Sequence, residues 1–208
     1  MPDEQRRKPP TREETMQRLA AQWNMQYEPK DDWGLVKKLG DFKLFRTGGS
    51  KRITNIVKNK DAVLESAIYL FDYKYTVSTG KSSSTYKQTV FFVDSKQLGL
   101  PQFSMKPENF LHWIGDLLGF KDIDFEDYPE FSNNYFLKGE DEEYIRHALP
   151  HQFLRFFSDN KEKAWYLEGI NYFLIFYQAD HLVGPRELKS FYEKGLRIYQ
   201  MLKTDFQP

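Results

Sequence analysis

The sequence predicts an α+β fold: antiparallel β-sheet built from hairpins and packed by N-terminal, central and C-terminal helices. Three observations carry this. Ser66 to Val77 alternates, with Ala67, Tyr69, Phe71, Tyr73 and Tyr75 on one side and Ile68, Leu70, Asp72, Lys74 and Thr76 on the other. Tyr86 to Asp94 is a second strand, and the Ser- and Gly-rich link from Ser78 to Thr85 joins the two as an antiparallel hairpin with a loose tip. Helical patterns fall at the start, middle and end rather than between successive strands, an order that excludes an alternating βαβ chain.

Taken in order, residues 1–10 are charged, end in Pro9-Pro10 and read as a disordered tail. Residues 11–208 read as one domain, with a C-terminal subdomain from about residue 130 as an open alternative. Thr11-Arg-Glu-Glu14 is a capping box, in which the Thr hydroxyl and the Glu carboxylate satisfy each other's end amides. Met16, Leu19, Ala20 and Trp23 then form one helical stripe. Residues 41–46 alternate and predict a short strand, residues 47–50 a turn, and Ile53 to Lys58 a further strand. Pro101 to Met105 adds a short strand. Pro107 suits the first position of a helix with Phe110, Leu111, Ile114, Leu117 and Leu118 inward, stopped by Gly119.

Residues 135–138 read as a strand. Asp141 caps a helix whose acidic first turn suits the helix dipole, and Pro150 kinks it or forces a restart at His151. Ala164 to Glu168 and Tyr172 to Gln178 read as two strands around Gly169. Pro185 opens a last helix with Leu188, Phe191, Tyr192, Leu196, Tyr199 and Leu202 inward.

Composition narrows the function classes. The 208 residues contain no Cys, which excludes disulfides, thiolate catalysis and Cys-based metal centres. No run approaches the ~20 apolar residues of a membrane-spanning helix, and the N-terminus lacks the apolar stretch of a secretory signal. The expected location is therefore the cytoplasm, with peripheral membrane contact as the variant. Charge is bipolar although the total is zero: residues 1–100 carry 18 Lys+Arg and 12 Asp+Glu, and residues 101–208 carry 12 and 18. Residues 35–60 hold eight bases and one acid, and residues 122–143 hold nine acids and one base. Such lobes face each other within or between molecules, or the basic one meets an anionic partner.

Candidate chemistry is sparse. Arg46-Thr-Gly-Gly-Ser-Lys-Arg52 reads as a basic turn between strands, where Arg46, Lys51 and Arg52 can contact an anion or a partner. Asp122, Asp124 and Glu126 would point the same way from a strand and suit a hard cation, though not in an EF-hand pattern. His147 and His151 stand four apart with Pro150 between them. Gly80-Lys81-Ser82 resembles the end of a phosphate-binding loop, but Tyr75 stands where the first Gly belongs and a strand follows instead of a helix. No catalytic residue and no cofactor is predicted.

The motifs Phe71-Asp-Tyr-Lys-Tyr75-Thr76 with Gly80-Lys81, Asp122-Ile-Asp-Phe-Glu126, Pro129-Glu-Phe-Ser132 with Tyr135 and Leu137, and Gly139-Glu-Asp141 resemble a family of uncharacterised bacterial proteins. The resemblance covers about residues 40–180 and implies a bacterial origin, but neither an activity nor a functional residue. The expected function is a non-enzymatic protein–protein interaction domain with a protein partner or a second copy of itself. The alternatives are peripheral binding to an anionic membrane or polyanion through residues 35–60, with nucleic acid disfavoured, and a metal-dependent hydrolase using the 122–127 segment.

Overall fold

A computed structural model describes residues 9–108, 121–160, 162 and 164–203. Thr11 caps helix α1 (Arg12–Gln22) through the expected reciprocal box, and Met16 and Ala20 are its buried stripe. There follow β1 (Gln26–Lys30) and two single-turn helices, α2 (Leu35–Lys38) and α3 (Lys43–Arg46). Three strands of 13 residues form a meander: β2 (Gly49–Asp61), β3 (Ser66–Ser78) and β4 (Ser83–Ser95). Then come β5 (Leu100–Pro107), α4 (Pro129–Asn134), β6 (Tyr135–Gly139), α5 (Glu142–Ala148) and α6 (His151–Ser158). β7 (Trp165–Asn171), β8 (Phe173–Gln178) and α7 (Leu188–Leu202) complete the described chain. The expected α+β architecture holds.

All the strands join one antiparallel sheet in the order β1-β2-β3-β4-β8-β7-β5-β6. Pairing of β8 with β4, from Val90↔Tyr177 to Asp94↔Phe173, places strands from beyond residue 130 in the same sheet as the N-terminal meander.

The sheet buries both faces, and β4 shows why its central segment is apolar without interruption. Phe91 and Val93 join Met16, Leu70, Phe176, Phe191 and Ile198 in a core shared with α1, α6 and α7. Val90 and Phe92 face the other way, into a smaller core with Leu39, Phe42, Phe45, Phe71 and Ile175. Helices therefore blanket one face. Among the described residues, the buried core of the second face draws its members outside the strands from the 35–45 segment.

Several expectations need correction. Residues 43–46 are helical, not a strand, because Leu39, Phe42 and Phe45 recur every three residues and dock together on the sheet. Ser50, Lys51 and Arg52 belong to β2, so the basic stretch joins a helix to a strand rather than two strands. The β7–β8 turn lies at Asn171-Tyr172, with Asn171 at φ 52°, not at Gly169. Gly169 is inside β7, where a Cβ would come within 2.4 Å of the Phe103 ring. Pro107 closes β5 instead of opening a helix, and the expected stripe from Phe110 to Gly119 lies outside the described residues, as do residues 1–8 of the expected tail. Asp141 does cap α5, and Pro150 does separate α5 from α6.

Candidate functional site

A one-turn helix is too short to hold itself together, since nucleation costs more than its few hydrogen bonds return. α3 is held by side chains from elsewhere. Glu168, 4% exposed on β7, accepts from the backbone amides of Lys43 (2.6 Å) and Leu44 (3.1 Å) and from the Tyr177 hydroxyl (3.1 Å). At the other end the Lys51 ammonium donates to the Phe45 carbonyl, and Thr47 Oγ1 donates to the Lys43 carbonyl at 2.9 Å. Burial pushes the Glu168 carboxyl up, against the pull of its three donors and of the Lys43 charge.

Fixed in this way, α3 overhangs a cleft of about 540 Å³. Lys43 and Arg46 line it from α3, Ser104 from β5, Lys138 from β6, and Glu168 and Ile170 from β7. Asp41 and Glu140 add acids to the lining, and Asp41 approaches Arg46 at 3.5 Å with both side chains mostly in water.

The three basic residues singled out by sequence thus separate. Arg46 lines the cleft, Lys51 is engaged beneath α3, and Arg52 is exposed on β2 opposite Lys74. Other bases of the 35–60 segment also bond within the fold: Lys38 with Asp94, and Lys58 with Glu28. The partners of Lys38, Arg46 and Lys58, namely Asp94, Asp41 and Glu28, all lie outside the acidic 122–143 segment.

The acidic candidates also diverge. Residues 121–125 are irregular backbone beside β6, not a strand. Asp122 turns inward and accepts from the Leu137 amide at 2.9 Å, while Asp124 and Glu126 are exposed. The latter two line a second cleft with His147 and His151, and His151 Nδ1 lies 3.0 Å from the Tyr128 hydroxyl. Among the described residues no group of three or more His, Asp or Glu side chains is arranged to hold a metal ion.

Burial, with a smaller push from Asp124, raises the Asp122 pKa from 3.8 to about 6. A folded-state pKa above the unfolded one means that the native state binds the extra proton. Stability from this group is fully present below pH ~4 and is lost as pH rises through about 6. Asp122→Asn keeps an oxygen for the Leu137 amide and removes the titration. Its unfolding midpoint is expected to vary less with pH between about 4 and 6 than the wild type's; parallel profiles would reject this role.

No family model matches the chain, and no curated protein does. The chain is similar in fold to a transport factor. The crystal structure of the mycobacterial trehalose monomycolate transport factor A, TtfA, superposes with a TM-score of 0.63 over 91% of this chain and 93% of that one, at 11% sequence identity. At that identity the likeness to TtfA is one of fold. No described helix is long and apolar enough to cross a membrane.

The sequence reading missed Glu168 and Lys138. Glu168 was seen only as the end of a strand. A lone acid amid Trp165-Tyr-Leu167 and Gly169-Ile170 is the available signal, because a buried carboxylate requires partners.

Proposed function

We propose that this chain is a non-enzymatic protein–protein interaction domain and that one end of its sheet is the contact surface. The observation that carries the reading is where exposed apolar side chains gather. Val63 (91% exposed) and Leu64 sit at the β2–β3 tip, and Tyr172 sits at the β7–β8 turn. Tyr144 is latched by its hydroxyl to the Gly99 carbonyl just before β5. Strand register puts all four at the same end: Ser66 pairs with Ser95, Asp94 with Phe173, and Asn171 with Leu100. Asp61 Oδ1 accepts from the amides of Val63 and Leu64 at 2.9 and 3.0 Å, so the tip has a defined conformation. Tyrosines with aliphatic neighbours among both signs of charge suit a protein partner. The fold likeness to a protein named as a transport factor is in keeping with such a role.

The test is affinity capture from bacterial lysate, in soluble and detergent fractions. Wild type is expected to retain a near-stoichiometric protein that the double variant Val63→Asp/Leu64→Asp loses while keeping the wild-type melting temperature. Equal capture by both, or by neither, overturns the contact surface.

A further inference from the structure

We infer that the chain associates with a second copy of itself: a row of cations on β2, β3 and β4 of one molecule meets the acidic run 121–130 of the next. The contact is separate from the loop end proposed above and stands independently of it. Arg52 is the cross-strand partner of Lys74, and Lys74 that of Lys87, so three cations stand side by side on one face. Residues directly opposite in an antiparallel pair have Cβ atoms about 5 Å apart, and like charges there weaken the pairing. Elsewhere the fold supplies carboxylates: Lys38 has Asp94, Lys58 has Glu28 and Lys194 has Glu162. Among the described residues no ion pair includes Arg52, Lys74 or Lys87. Residues 49–55 and 73–89 contain no acid. Asp72, two residues along β3 on the same face, is held by Arg12, and Asp180 accepts from the Lys87 amide at 3.1 Å. Nor does α1 cover the row. It begins beside it, where Arg12 bonds to Asp72, and runs away toward Met25 and the start of β1 opposite Lys58. Arg52 and Lys87 are exposed, and Lys74 is half-buried.

The matching charge lies at the far edge of the same sheet. Residues 121–130 hold five acids and one base, Lys121, and Asp124, Glu126, Asp127 and Glu130 are exposed. The Ile123 amide donates to the Leu137 carbonyl at 2.9 Å and fixes the run beside β6. Arg146 donates to the Asp124 carbonyl, but its charge is paired with Glu142. Between β4 and β6 stand β8, β7 and β5, so the two surfaces are at least four strand spacings apart, about 19 Å. The screening length at physiological salt is about 8 Å, so the two cannot neutralise each other within one molecule and each is left for a neighbour. A contact between unlike surfaces is heterologous and joins copies head to tail. A nucleic acid strand is served less well. Tyr73, Tyr75 and Tyr86, the rings that could stack on bases, stack on one another on the opposite face of the hairpin.

The test is sedimentation velocity over a concentration series, with charge reversed at each surface. Wild type should associate at low salt, and its dissociation constant should rise at least about tenfold at about 1 M salt, where the screening length is about 3 Å. Lys74→Glu/Lys87→Glu and Glu126→Lys/Asp127→Lys should each weaken association by about a hundredfold or more, because like charge then faces like. An equimolar mixture of the two should regain it, since the reversed row meets the reversed run. Lys189→Glu with Lys203→Glu, at exposed sites on and just after α7, should change little. Lys74→Gln/Lys87→Gln relieves repulsion within the sheet, so its melting temperature should not fall while its association weakens by about tenfold. A wild type that stays monomeric at low salt, row or run variants that associate as the wild type does, or a mixture that stays monomeric while both variants keep their melting temperatures would overturn the contact. A monomer that binds anionic vesicles through the row would assign the row to lipid and overturn it too. Val63→Asp/Leu64→Asp should leave self-association unchanged. Lost partner capture with intact self-association removes only the loop end, and intact capture without self-association removes only this contact.

Discussion

Arg12→Met is expected to destabilise the fold by about 3–5 kcal/mol, which in a chain of this size is a fall of roughly 6–20 °C in melting temperature. Arg12 donates to both carboxylate oxygens of Asp72 at 2.8 and 2.7 Å, to Thr89 Oγ1 at 2.9 Å and to the Val183 carbonyl at 2.7 Å. Asp72 also accepts from Asn55 and Thr89, both at 3.0 Å, and Thr89 Oγ1 accepts from the Val183 amide. One guanidinium thus ties α1, the middle of the sheet and the loop before α7 together. The Asp72 side chain is 9% exposed and that of Arg12 is 24%. Losing Arg12 therefore leaves a mostly buried anion with only the neutral donors Asn55 and Thr89. Asp72→Asn leaves a cation with a path to solvent and preserves an acceptor for Asn55 or Thr89, so its cost should be smaller, about 1–3 kcal/mol. Urea denaturation of the two variants checks the order. An Arg12→Met loss under about 1 kcal/mol, the range of exposed pairs, would show that the network is a surface ornament.

Much of this architecture was legible in the sequence, and the reason is periodicity. Alternation from Ser66 to Val77 marks β3, and the uninterrupted apolar run inside Tyr86 to Asp94 marks β4, where both faces of the sheet meet a core. The Thr11 box and the Asp141 cap are local hydrogen bonds between residues three apart, so they are visible in the chain itself. Residues 43–46 were misread because their stability comes from Glu168, more than 120 positions away. Gly169 was misread because a strand glycine admitting a ring looks the same in sequence as a turn glycine. The cleft stayed hidden for the same reason: Lys43 and Lys138 come together only through β5, which pairs with both β7 and β6. Arg46, Lys51 and Arg52 are neighbours in the chain, yet each ends in different surroundings.

Gly195→Ala is expected to destabilise the fold, although helix propensity alone favours alanine by up to about 1 kcal/mol. A Cβ on Gly195, within α7, would lie 2.5–2.7 Å from three atoms of the Phe91 ring. That ring is fully buried on β4 and has little room to retreat. It meets Tyr192 edge-on with centroids 5.6 Å apart, and Tyr192 stacks on Trp23 at 4.5 Å, so moving it disturbs the seat of α1. Moving α7 outward instead loosens Leu188, Phe191, Ile198 and Leu202 together. Overpacking of this kind costs about 1–3 kcal/mol, so after the propensity gain the net loss for Ala is up to about 2 kcal/mol, and Gly195→Leu should exceed that. The contact itself is isolated by a double-mutant cycle. Phe91→Ala should lose stability alone through its cavity, yet Gly195→Ala in that background should cost less than in the wild type, because the Cγ, Cδ1 and Cδ2 atoms that Cβ would strike are gone. Denaturant midpoints of the four proteins decide it. Additive losses would mean that the backbone of α7, not the Phe91 ring, requires glycine. A Gly195→Ala protein as stable as the wild type would mean that the helix can seat a methyl group on the sheet without displacing either partner.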